Sequence, residues 1–430
     1  MHIFVSGIGG VGVGPMALIA KQAGYVVSGS DKQESSYVEN IRRSGITVSI
    51  GQTKKDIEAL HKKNPIDWYI YSSAVEKENP DNPEFRFVDA QGIKRTKRDE
   101  FNNHFLEEKK LKMIAVAGTH GKTTTVAMIV WMFKSINHPV SYLLPAKVSF
   151  GEMGQYVPKS KYFVYEADEY DKNFLSYTPA LTVITGVGWD HHEIFPTRED
   201  YNESFHEFLN QSEFSFIWDD DSEYLEFEPS NGEVLDSSQP AIEQIHLAGK
   251  YNRMDGWLAI KTVHKVTGVP LSTLIAKLNK FPGLQRRMEE ISPGLYTDYA
   301  HTVEKIRGAM SVASELADMQ HKDLIVVYEG LHNRRQHFIL DDYKDVFDGA
   351  VKLYWVPSYL AREDKRQRII EPSEMIEHLA DPSIAEPKKL DDDLKKAIQT
   401  HLHCGDMVVG MSGGGGGSLD EWLRMNFKHK

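Results

Sequence analysis

Cysteine, basic charge and long apolar runs are all scarce in this sequence. Cys404 is its one cysteine, which excludes an internal disulfide and a zinc site built from several cysteines. Acidic residues outnumber basic ones by 62 to 50, so the chain carries a formal charge of -12 and lacks the basic surface that general nucleic-acid binding requires. No stretch approaches the roughly 20 apolar residues that cross a bilayer, and the opening MHIFVSGIGG lacks the features of a signal peptide. We therefore expect a cytoplasmic protein that binds neither membranes nor nucleic acid.

What the sequence does contain is strand and helix patterning over a length too great for a single core. Domains of roughly 100 to 200 residues predict about three of them in 430 residues. Apolar strands alternate with helices, which predicts parallel sheets that bind ligands at the carboxyl ends of their strands. We predict an α/β fold with three domains: a Rossmann-like domain over residues 1–107, a P-loop ATPase domain with a mostly parallel sheet over 108–284, and a Rossmann-like domain over 285–430.

Local patterns give more detailed expectations. In the first segment, DWYIYSSA and FRFVDAQGI are expected to extend the opening strand-helix-strand unit, and the charged EEKKLK to form a linker. Farther along, four apolar side chains at helical spacing are expected to lie in a core rather than against a cofactor: Tyr201, Phe205, Phe208 and Leu209.

A first glycine loop follows the opening strand. Gly7, Gly9 and Gly12 match GxGxxG, and Asp31 follows the second strand, where an acid that binds ribose would lie. If a ligand binds here, backbone N–H groups and the amino end of the next helix would hold a diphosphate. The pattern alone is weak, so a simple turn, an NAD site and a UDP-sugar site all remain open.

A second glycine loop lies in AVAGTHGKTTT, residues 115–125. A strand ends at Gly118, Gly121 permits a tight turn, and Lys122 and Thr123 open an apolar helix. In such a loop, N–H groups surround phosphates, the lysine neutralises the β and γ charges, and the threonine hydroxyl ligates Mg²⁺. Because the strand-loop-helix context is present, we predict a triphosphate site.

Two further strand ends point to the same site. Glu166 closes the strand in YFVYEADEYD, and His191 follows a strand in GWDHHEIF, with His192 as an alternative. Carboxyl ends of parallel strands share one edge of a sheet, so these side chains are expected near Thr123 and the phosphates. An oxygen, a carboxylate and an imidazole are acceptable ligands for Mg²⁺.

These motifs together resemble the Mur ligase family, the ATP-dependent amide-forming enzymes of peptidoglycan precursor synthesis. The resemblance rests on AVAGTHGKTTT, EADEYD and DHHEIF, with GIGGVGVG and SSAVEKENP before them and LAGKYNRMDGW, FPGLQRRMEE and TDYAHTVEKI after them. It implies ATP and Mg²⁺, and it implies UDP-N-acetylmuramate and an amino acid as substrates. L-alanine is the first choice for the amine, and murein tripeptide, favoured by EADEYD and MSGGGGG, is the alternative.

The resemblance also implies roles for residues of the first two domains. The first domain would bind the UDP part of the substrate, the second the phosphates and metal, and the third the amino acid. The expected substrate-binding residues of the first domain are Gly9, Gly10, Gly12, Asp31, Ser72 and Ser73. Expected phosphate contacts are Gly118, Thr119, His120, Gly121, Lys122, Thr123 and Thr124, and expected metal ligands are Thr123, Glu166 and His191.

The remaining roles fall in the later part of the chain. Asn252 would face adenine, although it could instead cap a helix. Arg286, with Arg287 as a competitor, would approach the ATP phosphates, and Asp298 would lie near the ATP ribose. A guanidinium grips a carboxylate in two places, and the expected contacts of the amino acid are His301, His332 and Arg335.

Two other classes of protein compete with this interpretation. An NAD-dependent dehydrogenase would use the first glycine loop but would leave Lys122 and Glu166 without a role. A non-catalytic relative would bind the same ligands without joining them, and the intact Lys122, Thr123 and Glu166 count against it.

Overall fold

The computed structural model describes residues 1–191, 194–360, 363 and 366–427. These residues form three mostly parallel sheets with helices between the strands, which confirms the α/β class. They group into two compact units, one of Met1–Ile245 with Met254–Phe281 and one of His246–Arg253 with Pro282–Lys430. Each predicted segment contains one sheet, while its boundaries stay predictions. Within the described ranges, every helix is too short or too polar to span a bilayer.

The first sheet has five parallel strands in the order β3-β2-β1-β4-β5. Its strands are β1 His2–Ser6, β2 Val26–Asp31, β3 Thr47–Ile50, β4 Trp68–Tyr71 and β5 Lys94–Lys97. Its helices are α1 Gly14–Gln22, α2 Ser36–Arg43, α3 Lys54–Lys63, α4 Ser73–Glu78, α5 Pro83–Ala90 and α6 Arg98–Lys109. Because β1 lies between β2 and β4, the loops that follow these three strands meet at one edge.

Two expectations about the first segment are wrong. The run FRFVDA belongs to helix α5, because the Asn82 side chain accepts a hydrogen bond from the Glu84 N–H at 2.9 Å and Pro83 occupies the first turn. The predicted linker EEKKLK is reduced to two residues, because residues 107–109 complete α6, a left-handed Lys110 and Leu111 follow, and Lys112 begins β6.

The second sheet has the order β12-β11-β10-β6-β9-β7-β8 and is parallel except for the pair β7-β8. Its strands are β6 Lys112–Ala117, β7 Ser141–Leu143, β8 Gly154–Gln155, β9 Tyr162–Glu166, β10 Leu181–Ile184, β11 Ser215–Trp218 and β12 Gly232–Leu235. Its α-helices are α7 Lys122–Ser135, α8 Arg198–Asn210, α9 Asp219–Leu225, α10 Lys250–Thr267 and α11 Leu271–Leu278, and short 3-10 helices cover Tyr170–Ser176 and Pro240–Gln244.

The first two sheets share one apolar core within the first unit. The rings of Phe105 on α6 and Phe163 on β9 lie 6.2 Å apart between centroids. Helix α1 packs closely on β8, since a methyl group on Gly154 would lie 2.7 Å from the carbonyl oxygen of Pro15. The four apolar side chains expected in a core are buried there on α8, which confirms that prediction.

The second unit contains the third sheet, with the order β13-β14-β18-β15-β16-β17 and one antiparallel pair, β13-β14. Its strands are β13 Glu289–Ser292, β14 Leu295–Asp298, β15 Leu324–Leu331, β16 Lys352–Tyr359, β17 Ala385–Pro387 and β18 Met407–Ser412. Its α-helices are α12 Val303–Gln320, α13 Asn333–Ile339, α14 Pro372–Ile376, α15 Asp392–Cys404 and α16 Leu419–Phe427, with 3-10 helices at Leu340–Tyr343 and Pro382–Ile384. The ends of β14, β18 and β15 therefore lie side by side.

Candidate active site

The second glycine loop has the backbone of a phosphate loop. It joins β6 to α7, and Gly118 and Gly121 have φ angles of 131° and 72°, which L side chains rarely adopt. A methyl group on Gly121 would lie 2.3 Å from the Oδ2 atom of Asp255. The Thr119 N–H donates to the Gly186 carbonyl at 2.7 Å, and its hydroxyl lies 2.8 Å from the Tyr201 hydroxyl. The loop is thus fixed from the β10 side as well as by its own turn.

Lys122 stands at the first position of α7 and is held by a buried acid. Its Nζ donates to Oε2 of Glu169 and to the Gly118 carbonyl, both at 2.6 Å. Burial would lower the pKa of Lys122, but Glu169, with Asp168 and Glu166 behind it, raises the pKa instead. Lys122 is therefore a fully charged ammonium beside the loop.

Glu166 and Thr123 are in direct contact. The Thr123 hydroxyl donates to Oε2 of Glu166 at 2.7 Å, because Glu166 ends β9 next to the loop that follows β6. The structure therefore brings together two of the three predicted metal ligands. Their role in holding a metal stays a prediction.

The third predicted ligand, His191, lies with two other acids. One ligand atom from each of Asp168, Glu169 and His191 falls within 4.8 Å of the others, and Glu166 is outside this group. Nε2 of His191 is 3.6 Å from Oε1 of Glu169. Burial would lower the pKa of His191, but Glu169 and Asp190 raise it. The alternative, His192, lies outside the described residues.

Glu169 is the most buried acid of this group, with a side chain 1% exposed. Burial would raise its pKa, but Lys122 and His191 lower it to about 2. Its Oε1 atom is buried and makes no hydrogen bond within the described residues. A cation at this oxygen would compete with Nε2 of His191, which lies 3.6 Å away.

Two buried acids lie behind the phosphate loop. The carboxyl of Asp255, on α10, abuts Gly121. Asp221, on α9, accepts a hydrogen bond from the Val187 N–H at 2.8 Å. Burial raises the pKa of both, that of Asp221 to about 7.

The first glycine loop gathers its predicted residues at one edge, as the strand order requires. The Gly9 N–H donates to Oδ2 of Asp31 at 2.8 Å, and a methyl group on Gly7 would lie 3.4 Å from the Ser72 hydroxyl. Ser73 begins α4 directly after Ser72. Asp31 therefore fixes the loop with one carboxylate oxygen, and the substrate roles of these residues stay predictions.

In the second unit, Arg286 lies over the end of β18. Its Nη2 donates to the carbonyls of Ser412 and Gly414 at 3.0 and 3.1 Å, and its Nε is 3.3 Å from Asp420. Asp298, at the end of β14, accepts from the Met288 N–H at 2.8 Å, and burial raises its pKa. The structure places both predicted residues at the strand edge, where their ATP roles stay predictions.

His301 and Arg335 are brought together at the same edge. Nη1 of Arg335 lies 3.1 Å from Nδ1 of His301. Burial, with help from Lys305, Arg335 and Arg287, lowers the pKa of His301 well below its usual value. The ring is therefore neutral, and its nitrogen can accept from the guanidinium and orient it.

His332 and the glycine run complete this edge. His332 has a φ of 61° at the turn after β15, and its Nδ1 is 3.7 Å from Glu363. In the run 413–417, a methyl group on Gly413 would lie 2.5 Å from the His301 ring, and one on Gly414 would lie 2.7 Å from the Tyr359 ring. The first glycines of the run are therefore required by close packing.

Asn252 occupies the third position of α10. Its side-chain amide donates to the Ala248 carbonyl at 2.8 Å. A capping side chain accepts from a backbone N–H, so this contact is not the cap that the sequence suggested. The adenine role of Asn252 stays a prediction.

Sequence reasoning missed Asp168, Glu169, Asp221 and Asp255. The first two stand within the quoted EADEYD motif, and the signal for them was a run of acids directly after a strand. The other two carried no local signal, because only the packing of α9 and α10 behind the loop brings them there.

Two protein-family models match residues of the first unit. The family model described as Mur ligase family, catalytic domain, matches residues 2–110, and the one described as Mur ligase middle domain matches residues 116–238. Together they span more than half of the chain.

Curated relatives and solved structures extend the similarity. The UDP-N-acetylmuramate--L-alanine ligase of Clostridium novyi is 27% identical over 83% of this chain and 82% of its own length, and that of Caldicellulosiruptor bescii is 28% identical over 84% of each. The UDP-N-acetylmuramate-alanine ligase structure from Thermotoga maritima has a TM-score of 0.77 at 20% identity, over 99% of this chain and 98% of that one. A murein peptide ligase from Psychrobacter arcticus has a TM-score of 0.64 at 22% identity over 99% of each. At these identities the structures support the fold.

Proposed function

Because the chain belongs to the Mur ligase family, we propose that it uses ATP to join the carboxylate of UDP-N-acetylmuramate to the amino group of L-alanine. The observation that carries the proposal is the charged Lys122 at the end of a phosphate loop, beside the acids that follow β9. An NAD-dependent dehydrogenase would have no use for this arrangement.

The proposed reaction has two steps. A carboxylate oxygen of UDP-N-acetylmuramate attacks the γ-phosphorus, the bond to the leaving ADP breaks, and an acyl phosphate forms. The amine nitrogen of L-alanine then attacks the acyl carbon, phosphate leaves, and the nitrogen loses a proton to give the amide. No protein side chain forms a covalent bond in this sequence, so catalysis depends on positioning and on neutralising phosphate charge.

Lys122 would supply that charge at the β and γ phosphates. Its Nζ is already fixed by Glu169 and the Gly118 carbonyl, so little reorganisation is needed to meet a phosphate oxygen. The loop N–H groups, including those of His120 and Thr124, would surround the phosphates, while the Thr119 N–H stays on the Gly186 carbonyl.

The acids fit a divalent cation. The buried, unbonded Oε1 of Glu169 and its grouping with Asp168 and His191 give a donor set rich in oxygen, as Mg²⁺ prefers. We propose that Thr123, Glu166 and His191 hold Mg²⁺ with help from these two acids. The ion would screen the negative charge of the phosphates during transfer.

The amino acid carboxylate would bind in the second unit. Arg335 is oriented by neutral His301 and presents a guanidinium that suits a carboxylate. His332 and Arg286 would complete the contacts to the amino acid and the ATP phosphates, with Asn252 at adenine and Asp298 at the ribose.

A second candidate is the addition of murein tripeptide to the same substrate. Three cations, Lys305, Arg335 and Arg287, act on His301, and two of them, Arg287 and Lys305, also act on the buried Asp298. A peptide with several carboxylates would find more than one cation at this edge.

The test supplies ATP, Mg²⁺ and UDP-N-acetylmuramate, and adds L-alanine, glycine, L-serine or murein tripeptide separately. Phosphate release and the mass of the product are measured together. L-alanine-dependent release with the mass of the alanyl product supports the first proposal. Turnover with tripeptide alone would select the second candidate, and absence of ATP binding would refute both.

A further inference from the structure

The first glycine loop has fewer free backbone donors than its sequence suggests. The N–H groups of residues 7–10 are all engaged, by the carbonyl of Ser30, the carboxylate of Asp31 and the carbonyl of Gly7. Within the described residues, the N–H groups of Val11, Gly12 and Val13 are those of the loop that make no hydrogen bond. A diphosphate carries more acceptor oxygens than these three groups can satisfy.

Arg98 lies directly against this part of the loop. A methyl group on Gly12 would be 2.5 Å from Nη1 of Arg98, so glycine is the residue that leaves room for the guanidinium. The Arg98 side chain is 20% exposed and begins α6, immediately after β5. Its position is therefore set by the fold rather than by a flexible surface loop.

The guanidinium is oriented by a buried network. Its Nε and Nη2 atoms lie 3.2 Å from Oδ1 of Asp99, which leaves Nη1 on the Gly12 side. Asp99 also accepts from the Tyr177 hydroxyl at 2.8 Å, and the Tyr177 and Tyr165 hydroxyl oxygens lie 3.3 Å apart. Tyr165 stands next to Glu166 on β9, so the network ends one residue before the strand end that carries a predicted metal ligand.

We propose that Arg98 binds the diphosphate of the nucleotide-sugar substrate through the Nη1 side of its guanidinium. The inference rests on the proposed function, since it assigns a further residue to the UDP part of that substrate. A guanidinium held on one side by a carboxylate is a strong, directional partner for a phosphate oxygen that meets its other nitrogen. Arg98 thus supplies the charge that the occupied backbone donors of the loop lack.

The test compares the wild-type chain with Arg98→Gln by calorimetric titration of UDP-N-acetylmuramate, UDP and a non-hydrolysable ATP analogue. Loss of a charge-assisted hydrogen bond is expected to weaken both UDP compounds roughly 10- to 100-fold and to leave the ATP analogue unchanged. In turnover assays the KM for UDP-N-acetylmuramate rises while kcat changes little. Arg98→Lys keeps the charge but not the planar group, and it should fall between the two.

The matched control is Arg95→Gln, which removes the same group from β5, where Arg95 pairs with the exposed Asp89 at 2.9 Å. It should bind all three ligands as the wild-type chain does.

Equal UDP affinity in the Arg98→Gln and wild-type chains would overturn the assignment but leave the proposed function intact. Loss of ATP-analogue affinity as well would show a structural role and also overturn it. If Arg98→Gln does not fold, the Arg98→Lys chain is measured instead. A UDP affinity in that chain equal to that of the wild-type chain would overturn the assignment. A wild-type chain that binds no UDP-N-acetylmuramate would overturn both proposals.

Discussion

Because Lys122 and Glu169 form a buried ion pair, we expect Lys122→Met to lower both ligase activity and stability. Adding Glu169→Gln to that variant should restore stability but not activity. In Lys122→Met, Glu169 stays buried without its main cation. Its folded pKa of about 2, against an ordinary 4.5, corresponds to about 3 kcal/mol of stabilisation at neutral pH. Removing one partner of a buried ion pair typically lowers the free energy of unfolding by about 3–5 kcal/mol. The value from the pKa shift agrees with that range.

The pH dependence of this contribution has a definite sign. Because the folded pKa of Glu169 is lowered, its contribution is complete above about pH 4.5 and disappears as the pH falls towards about 2. Lys122→Met should therefore be least stable, relative to the wild-type chain, near neutral pH. The double variant Lys122→Met/Glu169→Gln removes the orphaned charge and should regain most of the lost stability without regaining ligase activity.

The assay is equilibrium urea denaturation beside ATP-dependent phosphate release. The control is Lys112→Met/Glu213→Gln, since this pair lies 3.4 Å apart with side chains 59% and 66% exposed. Its single and double variants should differ by less than about 1 kcal/mol. Equal denaturation midpoints for Lys122→Met and the double variant would refute the reasoning, because Glu169 would then not depend on Lys122.

Two further predictions concern the residues behind the phosphate loop. Gly121→Ala should lose about 1–3 kcal/mol more stability than the control Gly268→Ala, and it should also bind ATP more weakly. Both glycines have a φ of 72°, but only a methyl group at position 121 would meet Asp255. Equal losses of stability in urea denaturation would contradict this prediction. Asp221→Asn should stabilise the chain by up to about 4 kcal/mol at about pH 8 but should have no such effect below about pH 4. Burial raises the pKa of Asp221 from 3.8 to about 7, so the wild-type chain loses stability as the pH rises from about 4 to above 7. Asparagine can still accept from the Val187 N–H, so melting curves across this pH range that superimpose for the two chains would count against the assignment.

The parts of the fold and site that could be predicted from the sequence are those fixed by neighbouring residues. The strand, glycine turn and helix around Lys122 follow from local chemistry, and the structure has that order. The contact between Thr123 and Glu166 also follows, because adjacent parallel strands bring their carboxyl ends together.

The remaining features depend on the path of the chain in space. Glu169 pairs with Lys122 from a position three residues beyond the end of β9, where the strand order no longer determines which side chain meets the loop. Short apolar runs do not distinguish a strand from a buried helix, which is why FRFVDA was wrongly expected to extend the sheet. Asp255 is separated from Gly121 by more than a hundred residues, so no local pattern could place it beside the loop.

The apolar core common to the first two sheets affects how the chain can be divided into fragments. A cut after residue 107 would separate Phe105 from Phe163 and remove α1 from β8, which would expose complementary apolar surfaces on both fragments. We expect such fragments to associate or aggregate in water. A chain break between Phe281 and Pro282 would instead leave that core intact.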